Sequence, residues 1–174
     1  LLEYGPKQLV IDPVMVSTSG SKLLDEDAMD ALVRTLLPLA TLVTPNIPEA
    51  EVLCGFAIRE QEDMVAAAQT IANRLGVAVL AKGGHLVSDA IDYLLQDGVG
   101  RWYTSERIQT SNTHGTGCTL SSAISCGLAA GKTLDESIRD GKAYLVGALK
   151  DGLDLGKSSG PLNHMLGRYP TASI

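Results

Sequence analysis

Gln61-Glu62-Asp63-Met64-Val65-Ala66-Ala67-Ala68-Gln69-Thr70-Ile71-Ala72-Asn73-Arg74-Leu75-Gly76-Val77-Ala78-Val79-Leu80-Ala81 carries the pattern that decides the fold. Met64, Ala67, Ala68, Ile71 and Leu75 recur at steps of three and four, which puts them on one face of a helix. Gly76 suits the left-handed residue that ends such a helix. Residues 77–81 are then apolar without alternation, as a strand covered on both faces requires. A helix that passes through a tight cap into a doubly buried strand is the repeating unit of a layered α/β fold.

Working outward, the same grammar returns on both sides. Residues 7–12 end in Leu9-Val10-Ile11 and stop at Asp12-Pro13, and Leu42-Val43 runs into Thr44-Pro45-Asn46, so each reads as a short buried strand. A serine- and glycine-rich loop occupies 17–21. Ala28, Leu32, Val33 and Leu36 predict a helix over 25–37, closed by Pro38 because proline disfavours helix in the residue before it. Pro48 in a first turn and Gly55 past the last predict a short helix over 49–54. Downstream, strands at 90–95 and 100–104 flank Asp97-Gly98, a tight hairpin signal, and 107–110 is read as an extension of that sheet. The apolar run 120–130 predicts a buried helix ended by Gly131, and Thr133-Leu134-Asp135-Glu136 is a capping box opening a helix to about 149. From Asp154 the tail reads as irregular. The expected architecture is one α/β domain over 1–174, a mostly parallel central sheet flanked by helices.

A chain of 174 residues that is 45% hydrophobic suffices for one ordinary core. A net charge of −6 and 4% aromatic residues offer neither a basic groove nor base-stacking rings, which argues against nucleic acid as a partner. No apolar stretch approaches the roughly 20 residues of a membrane helix, and no basic-then-apolar leader opens the sequence. Three cysteines without a CxxC pair argue against a disulfide framework or structural zinc, so a reducing cytoplasm is expected. The first residues read like the last turn of a helix and begin on Leu1, so the sequence is expected to start in mid-fold.

In sheets of this kind ligands bind beyond the carboxyl ends of the strands. Asp12-Pro13, Thr44-Pro45-Asn46, Lys82-Gly83-Gly84 and the segment His114-Gly115-Thr116-Gly117-Cys118-Thr119 all occupy such ends and are expected to share one crevice. The last of these is the most informative. Its glycines let the backbone approach a ligand, and the helix start that follows gathers donor N–H groups and the positive end of the dipole, an anion site. Cys118 falls in the first turn, where a thiolate is favoured, and so reads as a base or nucleophile, or equally as a small packing cysteine above a glycine turn. Asn46 and Glu49, spaced N-x-x-E, fit either a magnesium ion held directly or through water, or a reciprocal helix cap. Asp12 fits an ion site or a strand-terminal turn, and Lys82 a phosphate or a solvated surface. His85 and His114 have no metal-ligand spacing. Neither of the two commonest phosphate-loop patterns occurs.

Taken in order, Asp12-Pro13-Val14-Met15-Val16, Thr44-Pro45-Asn46-Ile47-Pro48-Glu49-Ala50-Glu51, Lys82-Gly83-Gly84-His85 and His114-Gly115-Thr116-Gly117-Cys118-Thr119 resemble the hydroxymethylpyrimidine and phosphomethylpyrimidine kinases of thiamine biosynthesis, within the ribokinase-like superfamily. The resemblance runs to about Leu149. It implies a ribokinase-like fold and ATP-dependent phosphorylation of 4-amino-5-hydroxymethyl-2-methylpyrimidine and of its monophosphate, with ATP and Mg2+ required. Gly115, Thr116, Gly117 and Cys118 would form the anion hole, and Cys118, where most ribokinase-like kinases have aspartate, would be the base. Asn46 and Glu49 would orient magnesium and the ATP phosphates, Asp12 and Thr44 would support that ion site, Lys82 would meet the phosphates, and Val14 would line the pyrimidine pocket. The partner is a small pyrimidine, and a homodimer is compatible with the reading. The resemblance also implies that the family's N-terminal portion is absent, leaving the C-terminal two-thirds, inactive alone and with an uncovered sheet edge. The competing readings are a pyridoxal-type kinase, against which Cys118 counts, a nucleotide-binding remnant without turnover, and a thiol hydrolase using Cys118 with His114.

Overall fold

The apolar strand segments assemble in sequence order. The computed structural model describes residues 1, 3–17, 20–84, 90–110, 114–153, 155 and 160–165. In it β1 (Val10–Ile11) lies parallel to β2 (Leu42–Val43), and β2 parallel to β3 (Ala78–Lys82). Register pairs Ile11 with Val43 and Val43 with Val79, so Asp12 and Thr44 leave the sheet side by side. β4 (Ala90–Gln96) then runs antiparallel to β3, and Asp97-Gly98 returns the chain as β5 (Val99–Ser105) to give the order β1-β2-β3-β4-β5. Both turn residues have positive φ, 49° and 76°, the geometry of the turn expected from Asp-Gly.

The sheet is therefore mixed, parallel only through β3. Residues 83–89 are too few for the crossover of a dozen or more that another parallel neighbour needs, and an antiparallel return is what so short a connection permits. The expected strand over 107–110 does not form. β5 ends at Ser105, and the Glu106 carboxylate lies 2.6 Å from Lys150 Nζ, where the chain has left the sheet. His85, part of the serine- and glycine-rich loop (18–19) and most of the tail beyond 153 lie outside the described residues.

The 25–37 helix follows its expected path with three hydrogen-bonding patterns in succession. α1 (Glu26–Ala31), capped by Asp25, passes into i→i+5 turns over Leu32–Leu36 and a tight 3₁₀ turn over Leu37–Leu39. Pro38 lacks an N–H and its ring conflicts with the carbonyl four residues back, so the regular ladder cannot continue past it. α2 (Ile47–Cys54) begins two residues earlier than expected, and α3 (Gln61–Leu75) matches the predicted stripe: Met64, Ala67, Ala68, Ile71 and Leu75 are all buried. They join Met15, Leu37, Val43, Val79, Ala81 and Tyr93 in one core.

The chain divides into two compact units, Leu1–Thr104 and Ser105–Ile174. In the second, α4 (Thr116–Ala129) packs on α5 (Leu134–Lys150), which opens with the expected Thr133–Glu136 capping box. The contact is close: a Cβ on Gly127 would stand 2.6 Å from Ser137 Oγ, and one on Gly141 3.3 Å from Leu120 and Ile124. α4 starts four residues before the apolar run that announced it, because its first turn consists of small and polar residues that hydrophobic periodicity does not report.

Candidate active site

Parallel register builds a polar cluster in the first unit, at the carboxyl ends of β1, β2 and β3. Thr44 is fully buried and its hydroxyl donates to Asp12 Oδ1 at 3.1 Å, while Lys82 Nζ reaches the same oxygen at 2.6 Å. The Lys82 and Asp12 side chains are each 14% exposed, so this ion pair is largely shielded from water. Beyond Thr44 the backbone continues the ladder, with Lys82 N–H donating to Pro45 O at 2.8 Å and Asn46 bridged to Lys82. Asp12, Thr44, Asn46, Glu49 and Lys82 thus form one polar cluster.

Asn46 and Glu49 do make the reciprocal cap. Asn46 Oδ1 accepts from Glu49 N–H and Glu49 Oε2 accepts from Asn46 N–H, both at 2.9 Å. They also do more: Glu49 Oε1 accepts from Met15 N–H at 3.0 Å, and Asn46 Nδ2 donates to Val16 O at 3.1 Å. Burial pushes the Glu49 carboxyl above its ordinary range, opposed by the N–H of Asn46 and by Lys82 and reinforced by the charge of Asp12. Val14, the residue assigned to the pyrimidine pocket, is 48% exposed and sits at φ +49°. A β-branched residue held in that region costs about 1–3 kcal/mol, and such strain persists where surrounding contacts over-determine the backbone.

Gly83 is fixed by close approach. Its N–H donates to Ile91 O at 3.0 Å and to Asp92 Oδ1 at 3.1 Å, and a Cβ there would fall 2.2 Å from Ile91 O. A glycine next to Lys82 is what allows β3 and β4 to meet at this point.

The second unit carries the glycine loop. Gly115 is the N-cap of α4 at φ +80°, with no side chain bonded across the cap, and the first helical bond runs from Thr119 N–H to Gly115 O. Thr116, Gly117 and Cys118 are therefore the first three helical residues, whose N–H groups precede that bond and lie at the positive end of the dipole. Cys118 is exposed, which disfavours the packing-cysteine alternative. Thr119 next to it is buried, and its hydroxyl lies 3.0 Å from His164 Nε2, while Tyr144 O–H of α5 donates to His164 O at 2.8 Å. No sequence signal marked His164, which lies 45 positions from Thr119.

Asp12 and Glu49 are the residues of the first cluster that could hold a magnesium ion. Among the described residues no three His, Cys, Asp or Glu side chains form a cage. Two carboxylates, Asp12 and Glu49, nevertheless stand close enough for the charge of one to raise the other. That donor set suits a hard cation that keeps most of its waters and substrate phosphates as ligands. Each Glu49 oxygen accepts one N–H group and keeps a further lone pair, so Glu49 could meet such an ion directly or through water.

Comparison with known proteins bears on the fold and the family. A family model described as phosphomethylpyrimidine kinase matches residues 1–163. The hydroxymethylpyrimidine/phosphomethylpyrimidine kinase of Rhizobium meliloti is 46% identical over 168 residues, covering 94% of this chain and 63% of that protein. Among solved structures, an ADP complex of Bacillus subtilis pyridoxal kinase superposes with a TM-score of 0.87 at 36% identity, covering 97% of this chain and 64% of that one. Phosphomethylpyrimidine kinase from Clostridium difficile gives a TM-score of 0.74 at 43% identity, covering 86% of this chain and 60% of that one. The chain thus spans somewhat under two thirds of the length of these relatives. A mixed five-stranded sheet flanked by helices, superposing on kinases of this kind, is the ribokinase-like fold that the motifs led us to expect. Motifs, fold and family model converge, and the chain belongs to the phosphomethylpyrimidine kinase family.

Proposed function

We propose that the protein carrying this chain transfers the γ-phosphoryl group of ATP to the hydroxymethyl oxygen of 4-amino-5-hydroxymethyl-2-methylpyrimidine, and then a second one to the resulting monophosphate. The observation that carries the reading is Cys118, exposed in the first turn of α4 behind an N-cap glycine whose cap no side chain occupies. In the first transfer the substrate oxygen bonds to the γ-phosphorus, the bond from that phosphorus to the β,γ-bridging oxygen breaks, and ADP leaves. The hydroxymethyl proton passes to Cys118 Sγ as the base. The N–H groups of Gly115, Thr116, Gly117 and Cys118 face the charge that builds on the phosphoryl oxygens, an environment already oriented before reaction.

In this reading Lys82, Asn46 and Thr44 serve the nucleotide phosphates, and Val14 lines the pyrimidine pocket. Asp12 and Glu49 hold magnesium, which when bound neutralises phosphate charge; ADP in the Bacillus subtilis relative supports nucleotide use. The work takes place in the cytoplasm, and a homodimer is compatible with it. Among the described residues no helix is long and apolar enough to cross a membrane.

The likeness to Bacillus subtilis pyridoxal kinase supports a second reading, in which pyridoxal is the acceptor. Comparing kcat/KM for hydroxymethylpyrimidine and pyridoxal, with the complete gene product and saturating MgATP, decides between them. The first reading predicts the higher value for the pyrimidine; a higher value for pyridoxal would establish the second.

A further inference from the structure

The cap of α2 makes two bonds more than capping requires. Asn46 Oδ1 and Glu49 Oε2 complete the reciprocal box, and they fix the Asn46 amide orientation because Glu49 N–H needs an acceptor. The remaining arms, Glu49 Oε1 and Asn46 Nδ2, cross 34 and 30 positions of sequence to Met15 N–H and Val16 O. They grip two consecutive residues directly after Val14. Met15 is also bonded on its other side, its carbonyl accepting from Leu23 N–H at 2.8 Å, and Val16 is bridged to Lys22. Met15 is fully buried and Val16 nearly so, whereas the Val14 side chain is turned outward at positive φ.

We propose that Asn46 and Glu49 are positioning residues for the substrate loop: their second arms clamp Met15 and Val16 and so hold Val14 in its left-handed, outward conformation. A cap alone needs neither arm, and a role confined to metal or phosphate gives no reason for both to be spent on the loop. The substrate part of the inference rests on the kinase reading; the clamp itself does not.

Asn46→Asp separates these roles. It keeps the oxygen that caps Glu49 and adds charge suited to a cation, but it loses the donor to Val16 and sets a carboxylate oxygen against that carbonyl. Amide hydrogen exchange of the ligand-free complete gene product should accelerate about tenfold across residues 13–17 while α3 keeps its protection, and KM for the pyrimidine should rise about tenfold, the size expected from one lost hydrogen bond with an unsatisfied partner. Unchanged exchange at 13–17 overturns the clamp, whatever happens to nucleotide affinity. Faster exchange with an unchanged pyrimidine KM overturns the positioning role. If α3 also loses protection, Glu49→Gln, which removes one of the two carboxylate acceptors, replaces Asn46→Asp in both arms with the same expected and contrary results. Failure of the unaltered protein to phosphorylate the pyrimidine would count against the kinase reading, and the exchange arm would still decide the clamp.

Discussion

Glu49 concentrates the physical tension of the first cluster in one side chain. It is buried, its side chain accepts from the backbone N–H groups of Met15 and Asn46, its own N–H donates to the Asn46 side chain, and it is close to one positive and one negative group. Because burial raises its carboxyl above the ordinary 4.5, the folded chain binds this proton more readily than the unfolded one. Its contribution to stability is therefore fully present below the ordinary value and is lost as pH rises through the folded one. Urea denaturation of the wild type and Glu49→Gln should show the difference moving in favour of the wild type as pH falls from neutral toward 4.5. A difference moving the other way would mean that the hydrogen bonds to Asn46 and Met15, rather than burial, dominate. Gly115 makes a simpler case. At φ +80° with open space around its Cβ position, Gly115→Ala meets no clash, only the backbone penalty of about 1 kcal/mol that a left-handed L-residue carries. A thermal shift corresponding to that small loss is expected, and a large one would show that more than backbone strain holds the loop.

At the scale of elements, glycines mark where backbones touch. Gly83→Ala would drive Cβ to 2.2 Å from Ile91 O, a backbone atom that cannot turn aside, so it should destabilise the β3–β4 junction more than Gly127→Ala, whose Cβ meets the Ser137 side chain at 2.6 Å. Overpacking of the second kind costs about 1–3 kcal/mol. Denaturation midpoints check the ranking, and the reverse order would contradict it. These contacts also explain what was legible in the sequence. The α3 stripe, the Asp97-Gly98 hairpin and the Thr133–Glu136 box rest on neighbours within one or two turns, so their pattern is written locally. The Asp12–Lys82 pair spans 70 positions and the Thr119–His164 contact 45, and neither leaves a local trace. The N-x-x-E spacing was compatible with a cap or an ion site; only the fold showed the cap, and only the fold showed the same two side chains holding Met15 and Val16. The wide turns of Leu32–Leu36 were hidden because apolar spacing reports a helical path, not which carbonyl each N–H chooses.

At the scale of the molecule, each compact unit carries one part of the proposed chemistry: strand-end polar residues in Leu1–Thr104, the glycine loop and Cys118 in Ser105–Ile174. The first part predicts nucleotide binding that depends on the cation. Calorimetry with the complete gene product should show ATP affinity falling when magnesium is chelated, and falling again in Lys82→Met; affinity indifferent to both would remove Asp12, Glu49 and Lys82 from the nucleotide site. The second part predicts the chemistry, since a positioned base contributes around 10² to 10⁴ in rate while the loop N–H groups survive its removal. The most direct measurement is the turnover of hydroxymethylpyrimidine to its phosphate by the complete gene product, wild type against Cys118→Ala, under saturating MgATP. Turnover in the wild type, a loss of about 10² to 10⁴ in Cys118→Ala with ATP affinity retained, and partial recovery in Cys118→Asp are the results expected. Near-normal turnover in Cys118→Ala would contradict the account, because the base would then have to be another group.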